Sequence, residues 1–199
     1  MTCLPTLPPD DGCRMFRAPE LVRERLRRAT QALQDAEVNY AVIGANAVAF
    51  WVGARDEGAI RNTPNVDVLI YPSMLAASRT ALEAVGFVLA AGGPRPISFL
   101  DGPDGKLRQA VRIWFSGDVV SPTGEPLPSL VHSLPTWPRR VIALPTLVRM
   151  KLSAWRTIDR VHLQDLIGVG QIDVTWLKKF DFPEVLAERL RQILANPDG

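Results

Sequence analysis

From residue 20 to residue 36, the apolar positions Leu21, Val22, Leu26, Ala29, Leu33 and Ala36 recur at helical spacing with arginines between them. The pattern predicts an amphipathic helix opening at Pro19, a residue suited to a first helical turn. Residues 40–43 form a short apolar run ended by Gly44, which predicts a buried strand. Residues 45–54 are alanine-rich with Phe50 and Trp51 and predict a second helix. Gly53, Gly58, Asn62 and Pro64 then mark a loop. Residues 66–71 carry the strongest strand pattern in the chain, stopped by Pro72. Residues 75–85 predict a third helix, with Gly86 in the position of a C-terminal cap.

The pattern changes in the middle. Residues 87–91, 97–100 and 110–115 are strand candidates separated by Gly/Pro-rich segments. The cluster Asp101-Gly102-Pro103-Asp104-Gly105 between the last two predicts an antiparallel hairpin. Residues 122–138 hold too many prolines for regular structure, and residues 141–144 predict one more short strand. Helical spacing returns over residues 145–157, 159–169 and 182–194. The expected fold class is α/β (α+β): a small mixed sheet flanked by helices, followed by a helical C-terminal portion. Its expected organisation is a disordered Pro-rich leader over residues 1–18, a core over 19–144, and a helical portion over 145–199 packed on that core.

Composition narrows the picture little. The 199 residues carry a formal net charge of +2, with 47% hydrophobic and 22% charged residues, as in ordinary soluble domains. A charge of that size does not argue for nucleic-acid binding, and acidic residues dilute the arginines of the first helix into a solvated face. Both cysteines, Cys3 and Cys13, lie in the leader, and no Cys/His spacing suits a metal. The start lacks the basic and apolar regions of a signal peptide, and no apolar run reaches the ~20 residues of a membrane span. The expectation is a soluble, cytoplasmic protein with no membrane partner.

Nucleotidyl transfer needs metal ions clamped between carboxylates and substrate phosphates. Two acids at i and i+2 on a strand supply one clamp, because they share a face. A glycine opening a nearby helix lets phosphates approach free amide donors. Gly44-Ala45-Asn46-Ala47 has the second feature, and Arg61-Asn62-Thr63-Pro64-Asn65-Val66-Asp67 enters the strand that has the first. Together these stretches resemble the DNA polymerase β-type nucleotidyltransferase superfamily. The nearest likeness is to bacterial minimal nucleotidyltransferases and the nucleotidyltransferase toxins of abortive-infection systems. Leu147-Val148-Arg149-Met150-Lys151-Leu152-Ser153-Ala154-Trp155-Arg156, with Asp159 and Asp165-Leu166 downstream, resembles a second motif of that family, a Met-Lys-Leu-x-Ala-x-Arg helix and the acidic helix after it.

The resemblance implies metal-assisted transfer of a nucleoside monophosphate from a nucleoside triphosphate to a hydroxyl of RNA or protein. Asp67 and Lys151 would be catalytic, Asp67 also ligating Mg²⁺. Gly44, Ala45, Arg61, Thr63 and Asn65 would contact the nucleotide. Implied partners are the nucleotide, an RNA or protein acceptor, and a cognate antitoxin or other protein. The motif is degenerate, however. Asn65 stands where the first carboxylate belongs, and the strand at residues 110–115 holds no acid. One carboxylate holds Mg²⁺ weakly or not at all, and Arg112 pointing toward Asp67 would disfavour it further. A second reading therefore stands beside the first: a catalytically inactive relative acting as a nucleotide- or partner-binding module.

Bland roles compete at each position. Asp67 can cap a backbone amide, Arg61 can pair with Asp56 or Glu57, and Lys151 can snorkel from an apolar helix. Asp101, Asp104 and Asp118 lie beside glycines, and Asp56 two positions from one, as turn residues do. His132 and His162 read as structural, and Trp51, Trp114 and Trp155 read as core anchors.

Overall fold

The computed structural model describes residues 11–92, 95–134 and 140–196. In chain order the elements are α1 (Asp11–Asp35), β1 (Tyr40–Ile43), α2 (Gly44–Gly53), β2 (Val66–Ile70), α3 (Leu75–Ala84), β3 (Phe87–Leu89), β4 (Ile97–Asp101), β5 (Val111–Phe115), β6 (Ser133–Leu134), β7 (Val141–Ile142), α4 (Leu144–Ala154), α5 (Thr157–Gly168), α6 (Trp176–Lys179) and α7 (Glu184–Ala195). The strands form one mixed sheet in the order β3-β4-β5-β2-β1-β7-β6. The α/β expectation is borne out: a mixed sheet flanked by helices, with helices completing the chain.

Strand β2 lies inside the sheet, antiparallel to β1 and parallel to β5. All five of its residues are buried, which explains why Val66-Asp67-Val68-Leu69-Ile70 reads as a nearly continuous apolar run rather than an alternating one. The hairpin expected at Asp101 to Gly105 joins β4 and β5, which pair antiparallel with Ser98 opposite Arg112. Gly86 follows α3 at φ +87, and its amide bonds the Glu83 carbonyl at 3.0 Å, so it ends the helix as expected.

Four expectations need correction. Helix α1 begins at Asp11, not Pro19, so the second half of the supposed disordered leader is helical. Proline removes a single donor from a helix that its flanking turns can still propagate. Cys13 falls in this helix, whereas Cys3 lies outside the described residues. The arginines of α1 are not all solvated. Arg25 is only 5% exposed, its Nε donating to Asp101 Oδ2 and its Nη1 to the Pro64 carbonyl, each at 3.0 Å. Asp101 also takes Arg28, so this turn aspartate pins α1 to the sheet.

The proline-rich stretch is not wholly irregular, because Ser133 and Leu134 find the free edge of β7. Its residues 135–139 lie outside the described ones. The short helix α6 was not expected; one turn leaves too little periodicity to read.

Apolar residues from Leu26 in α1 to Ile193 in α7 belong to one core. Helices α4 and α5 pack against α2, and α7 packs across both of them. Helix α4 ends where Trp155 turns left-handed at φ 52. There Arg189 Nη1 donates to the Leu152 and Ser153 carbonyls at 2.6 and 3.1 Å, satisfying the open end of the helix. This arrangement sets Lys151 of α4 on the same cleft as Gly44, which follows β1.

Candidate functional site

Parallel pairing of β2 with β5 puts Asp67 opposite Arg112 and Leu69 opposite Trp114. Side chains at i and i+2 share a face, so Asn65, Asp67, Arg112 and Trp114 meet on one side of the sheet. Asp67 is only 6% exposed, and both its oxygens are filled. Oδ1 accepts from Arg112 Nε at 2.6 Å and Trp114 Nε1 at 2.8 Å. Oδ2 accepts from Arg112 Nη2 at 2.7 Å and Asn65 Nδ2 at 2.8 Å. A carboxylate offers about four lone-pair sites, and N–H donors take them all.

Asn65 is itself held. Its Oδ1 accepts from Thr63 Oγ1 at 3.3 Å and its carbonyl from Asn46 Nδ2 at 2.8 Å. Gly44 closes the other side, brought there because Ile43 pairs with Asp67 across β1 and β2. It sits at φ +66, and a Cβ on it would lie 2.6 Å from Asp67 Oδ2. The position requires glycine on both counts.

A second polar cluster lies on α4 and α5. Lys151, 5% exposed, donates from Nζ to Asp159 Oδ1 at 2.8 Å and contacts His162 Nδ1 at 3.0 Å. Asp159 also accepts from Arg156 Nε at 2.7 Å and Nη2 at 3.3 Å. Burial pushes the Lys151 ammonium below its usual range, against the pull of Asp159. Burial also pushes the Asp159 carboxyl up, but the hydrogen bonds and charges of Arg156 and Lys151 outweigh it and leave it below its usual range. Burial, reinforced by the Lys151 charge, drives His162 down to about 4, so its ring is neutral at pH 7. Lys151 thus occupies a buried ion pair and does not snorkel.

Both clusters border one cleft of about 690 Å³. Gly44, Asp67 and Lys151 line it with Arg112, Arg149 and Arg156, under a strap over residues 120–129. The strap is tied to α4 by Glu125. Its Oε1 accepts from Arg149 Nε and Nη2 at 3.1 and 2.7 Å, and its Oε2 from Ser153 Oγ at 2.5 Å. Burial raises the Glu125 pKa, but those donors outweigh burial and hold the carboxyl below its usual range.

Of the residues singled out in the sequence, Gly44, Asp67 and Lys151 come together at this cleft, whereas Ala45, Arg61, Thr63 and Asn65 do not line it. Arg61 Nε donates to Asp165 Oδ1 and Oδ2 at 2.9 and 2.8 Å, so its partner is neither Asp56 nor Glu57. Asp56 caps its own turn through the Gly58 amide at 2.8 Å, and Asp118 pairs with Arg95. Trp114 is a site residue and not only a core anchor. Together with Arg112 it carried a readable signal, a basic and an aromatic donor two apart on a strand.

Mg²⁺ does not fit this donor set. Asp67 has no free lone pair to offer, and a guanidinium occupies the edge a cation would take. Among the described residues no group of three His, Cys, Asp or Glu side chains converges as metal ligands.

The fold and cleft define a mixed α/β protein with a cleft bordered by three arginines. No family model matches the chain, and no curated protein matches it. Among solved structures, JHP933 from Helicobacter pylori is similar at a TM-score of 0.51 and 14% identity, covering 90% of this chain and 74% of that one. A "putative nucleotidyltransferase from H. pylori" aligns at a TM-score of 0.42 and 12% identity, over 91% of this chain and 98% of that one. The likeness to JHP933 concerns the fold.

Proposed function

We propose that this chain is a nucleotidyltransferase-type fold acting as a ligand-binding module, not as a metal-dependent nucleotidyl transferase. The carrying observation is the closed coordination of Asp67, whose oxygens receive Arg112 twice, Trp114 and Asn65. Metal-assisted transfer demands an anionic oxygen free to bridge a cation to phosphate. Here the one strand acid of the motif is spent on fixing its neighbours. The cleft above it has the size and the mixed apolar and polar lining of a small-molecule site. Gly44, Lys151 and Asp67 shape the floor of that cleft in this reading, and Mg²⁺ has no role.

Titration of nucleoside triphosphates with and without Mg²⁺ or Mn²⁺, following both binding and label transfer to added RNA or protein, tests this. The expected result is binding indifferent to metal and no transfer. Metal-dependent transfer abolished by Asp67→Ala overturns the proposal and restores the enzyme. Asn65→Asp alone is expected to gain no metal affinity, because Arg112 still caps Asp67. Asn65→Asp combined with Arg112→Asp opens the site and is expected to gain it.

A further inference from the structure

The strap belongs to a segment over residues 116–129 in which not one residue is buried. Phe115 and Leu130, 2% and 6% exposed, anchor its two ends, and between them only Leu127 packs against the core. The segment is folded back on itself. Gly117 donates to the Leu127 carbonyl at 3.0 Å, Leu127 to the Asp118 carbonyl at 2.8 Å, and Gly124 to the Ser121 carbonyl at 3.1 Å. With a further bridge between Val119 and Pro126, these bonds make a narrow two-stranded ribbon. Among the described residues no backbone hydrogen bond ties residues 117–127 to a helix. The tip is fastened by side chains alone. Thr123 Oγ1 lies 2.9 Å from Ser153 Oγ, which spends its hydrogen on Glu125 Oε2, so Thr123 is the donor of that pair. Glu125 Oε1 takes both Arg149 donors. At the root, Asp118 pairs with Arg95 and Ser129 meets Tyr71, and neither contact reaches the tip.

We propose that this ribbon is a lid on the cleft, hinged at its root near Gly117 and Leu127 and latched to α4 by Glu125. This rests on the binding-module reading above and gives its cleft an entry gate. Val120, Ser121, Glu125 and Leu127 line the cleft on one side and Arg149, Met150 and Ser153 of α4 on another, so the latch joins two walls of the same cavity. Segments that bury few side chains open at far lower free energy than the core unfolds, and active-site lids are drawn from them. The ribbon's own ladder lets it swing as a unit, with the bending confined to a few residues at its ends. Charge-assisted bonds to Glu125 favour the closed position. The pair is partly solvated, Arg149 being 43% and Glu125 22% exposed, so the latch is weak enough to release.

Thiol labelling reads the lid without any ligand. In the full chain carrying Cys3→Ser and Cys13→Ser, Met150→Cys places one thiol on the cleft wall, and its alkylation by iodoacetamide is timed with Glu125 present and with Glu125→Ala. Glu125→Ala is expected to raise the rate about tenfold or more, the loss of at least one charge-assisted bond. Glu125→Gln, which keeps an acceptor and loses the charge, is expected to fall between. Two other single thiols serve as references: Val174→Cys at a position 67% exposed, and Val68→Cys in β2 at a position 0% exposed. Neither rate is expected to change with Glu125→Ala. Equal rates at Met150→Cys with and without Glu125 overturn the latch. Met150→Cys reacting as fast as Val174→Cys while Glu125 is present overturns the lid itself. A parallel rise at Val68→Cys shows the whole fold loosening and overturns a hinged opening. None of these outcomes depends on nucleotide titration, so the lid and the binding-module reading fail separately.

Discussion

Replacing Arg112 by methionine removes the cation from Asp67 while keeping an unbranched side chain of similar reach. Asp67 then retains Trp114 and Asn65 but loses the bonds at 2.6 and 2.7 Å, both charge-assisted. Hydrogen bonds to charged groups contribute roughly 1.5–3 kcal/mol each, and removing one partner of a buried ion pair costs about 3–5 kcal/mol. The Arg112 side chain is 35% exposed, so water enters where the guanidinium was and softens the penalty. The expected loss is about 2–4 kcal/mol, near the upper range of single substitutions. For a chain of this size that corresponds to a fall in Tm of roughly 4–16 °C.

A double-mutant cycle isolates the pair. Asp67→Asn turns one acceptor oxygen into a donor facing other donors, and is expected to cost about 2 kcal/mol on its own. The double variant is expected to lose less than the sum by at least about 1.5 kcal/mol, since neither partner is then stranded. Urea unfolding at pH 7 with a common m-value reads all four corners. If Arg112→Met costs under about 0.5 kcal/mol and the two losses simply add, Asp67 does not depend on its arginine. Its oxygens would then be open to a cation.

Other consequences follow from the same geometry. Gly44→Ala must adopt φ +66 and press a methyl against Oδ2 of an Asp67 carboxylate that four bonds, two to each oxygen, prevent from moving, so a loss of about 2–4 kcal/mol is expected in urea unfolding. Asp159→Ala strands Lys151 in a buried place and is expected to cost about 3–5 kcal/mol. Lys151→Met leaves Asp159 with Arg156 and should cost visibly less; the reverse order in thermal melts would refute the pairing. His162 has a folded pKa of about 4 against 6.5 when free. The unfolded chain therefore binds the proton first, and stability that is full above pH 6.5 is lost as pH falls toward 4, by up to about 3 kcal/mol. Glu125 and Asp159, both held below their usual ranges, lose stability only below about pH 4.5, so urea midpoints between pH 6.5 and 4.5 isolate the histidine. His162→Gln is expected to flatten that limb, and an unchanged slope would count against its burial as a neutral ring.

Local pattern carried the elements that position the cleft. Tyr40 to Ile43 could be read because an apolar run stops abruptly at a glycine, and Val66 to Ile70 because burial on both faces removes polar alternation. What was hidden is pairing at long range. Arg112 reaches Asp67 across 45 positions and Arg61 reaches Asp165 across 104, and nothing within a window of one helix or strand encodes either. The sequence did raise the right question about Arg112, whose consequence depended on strand register. Parallel pairing of β2 with β5 supplies that register, and a one-residue slip would have turned Arg112 to the opposite face.

The acids of the cleft look at first like an argument against an anionic ligand. Arg112, Arg149, Lys151 and Arg156 are matched by Asp67, Glu125, Asp159 and Asp181, four charges of each sign around one cavity. Such a cleft draws anions weakly from a distance, so association is expected to lack strong electrostatic steering. Each acid instead fixes a guanidinium in one direction, which removes rotamer freedom from that arginine in the folded chain. The acids thus trade long-range attraction for orientation. The same Asp67 that would hold a metal in an active nucleotidyltransferase here holds an arginine in place.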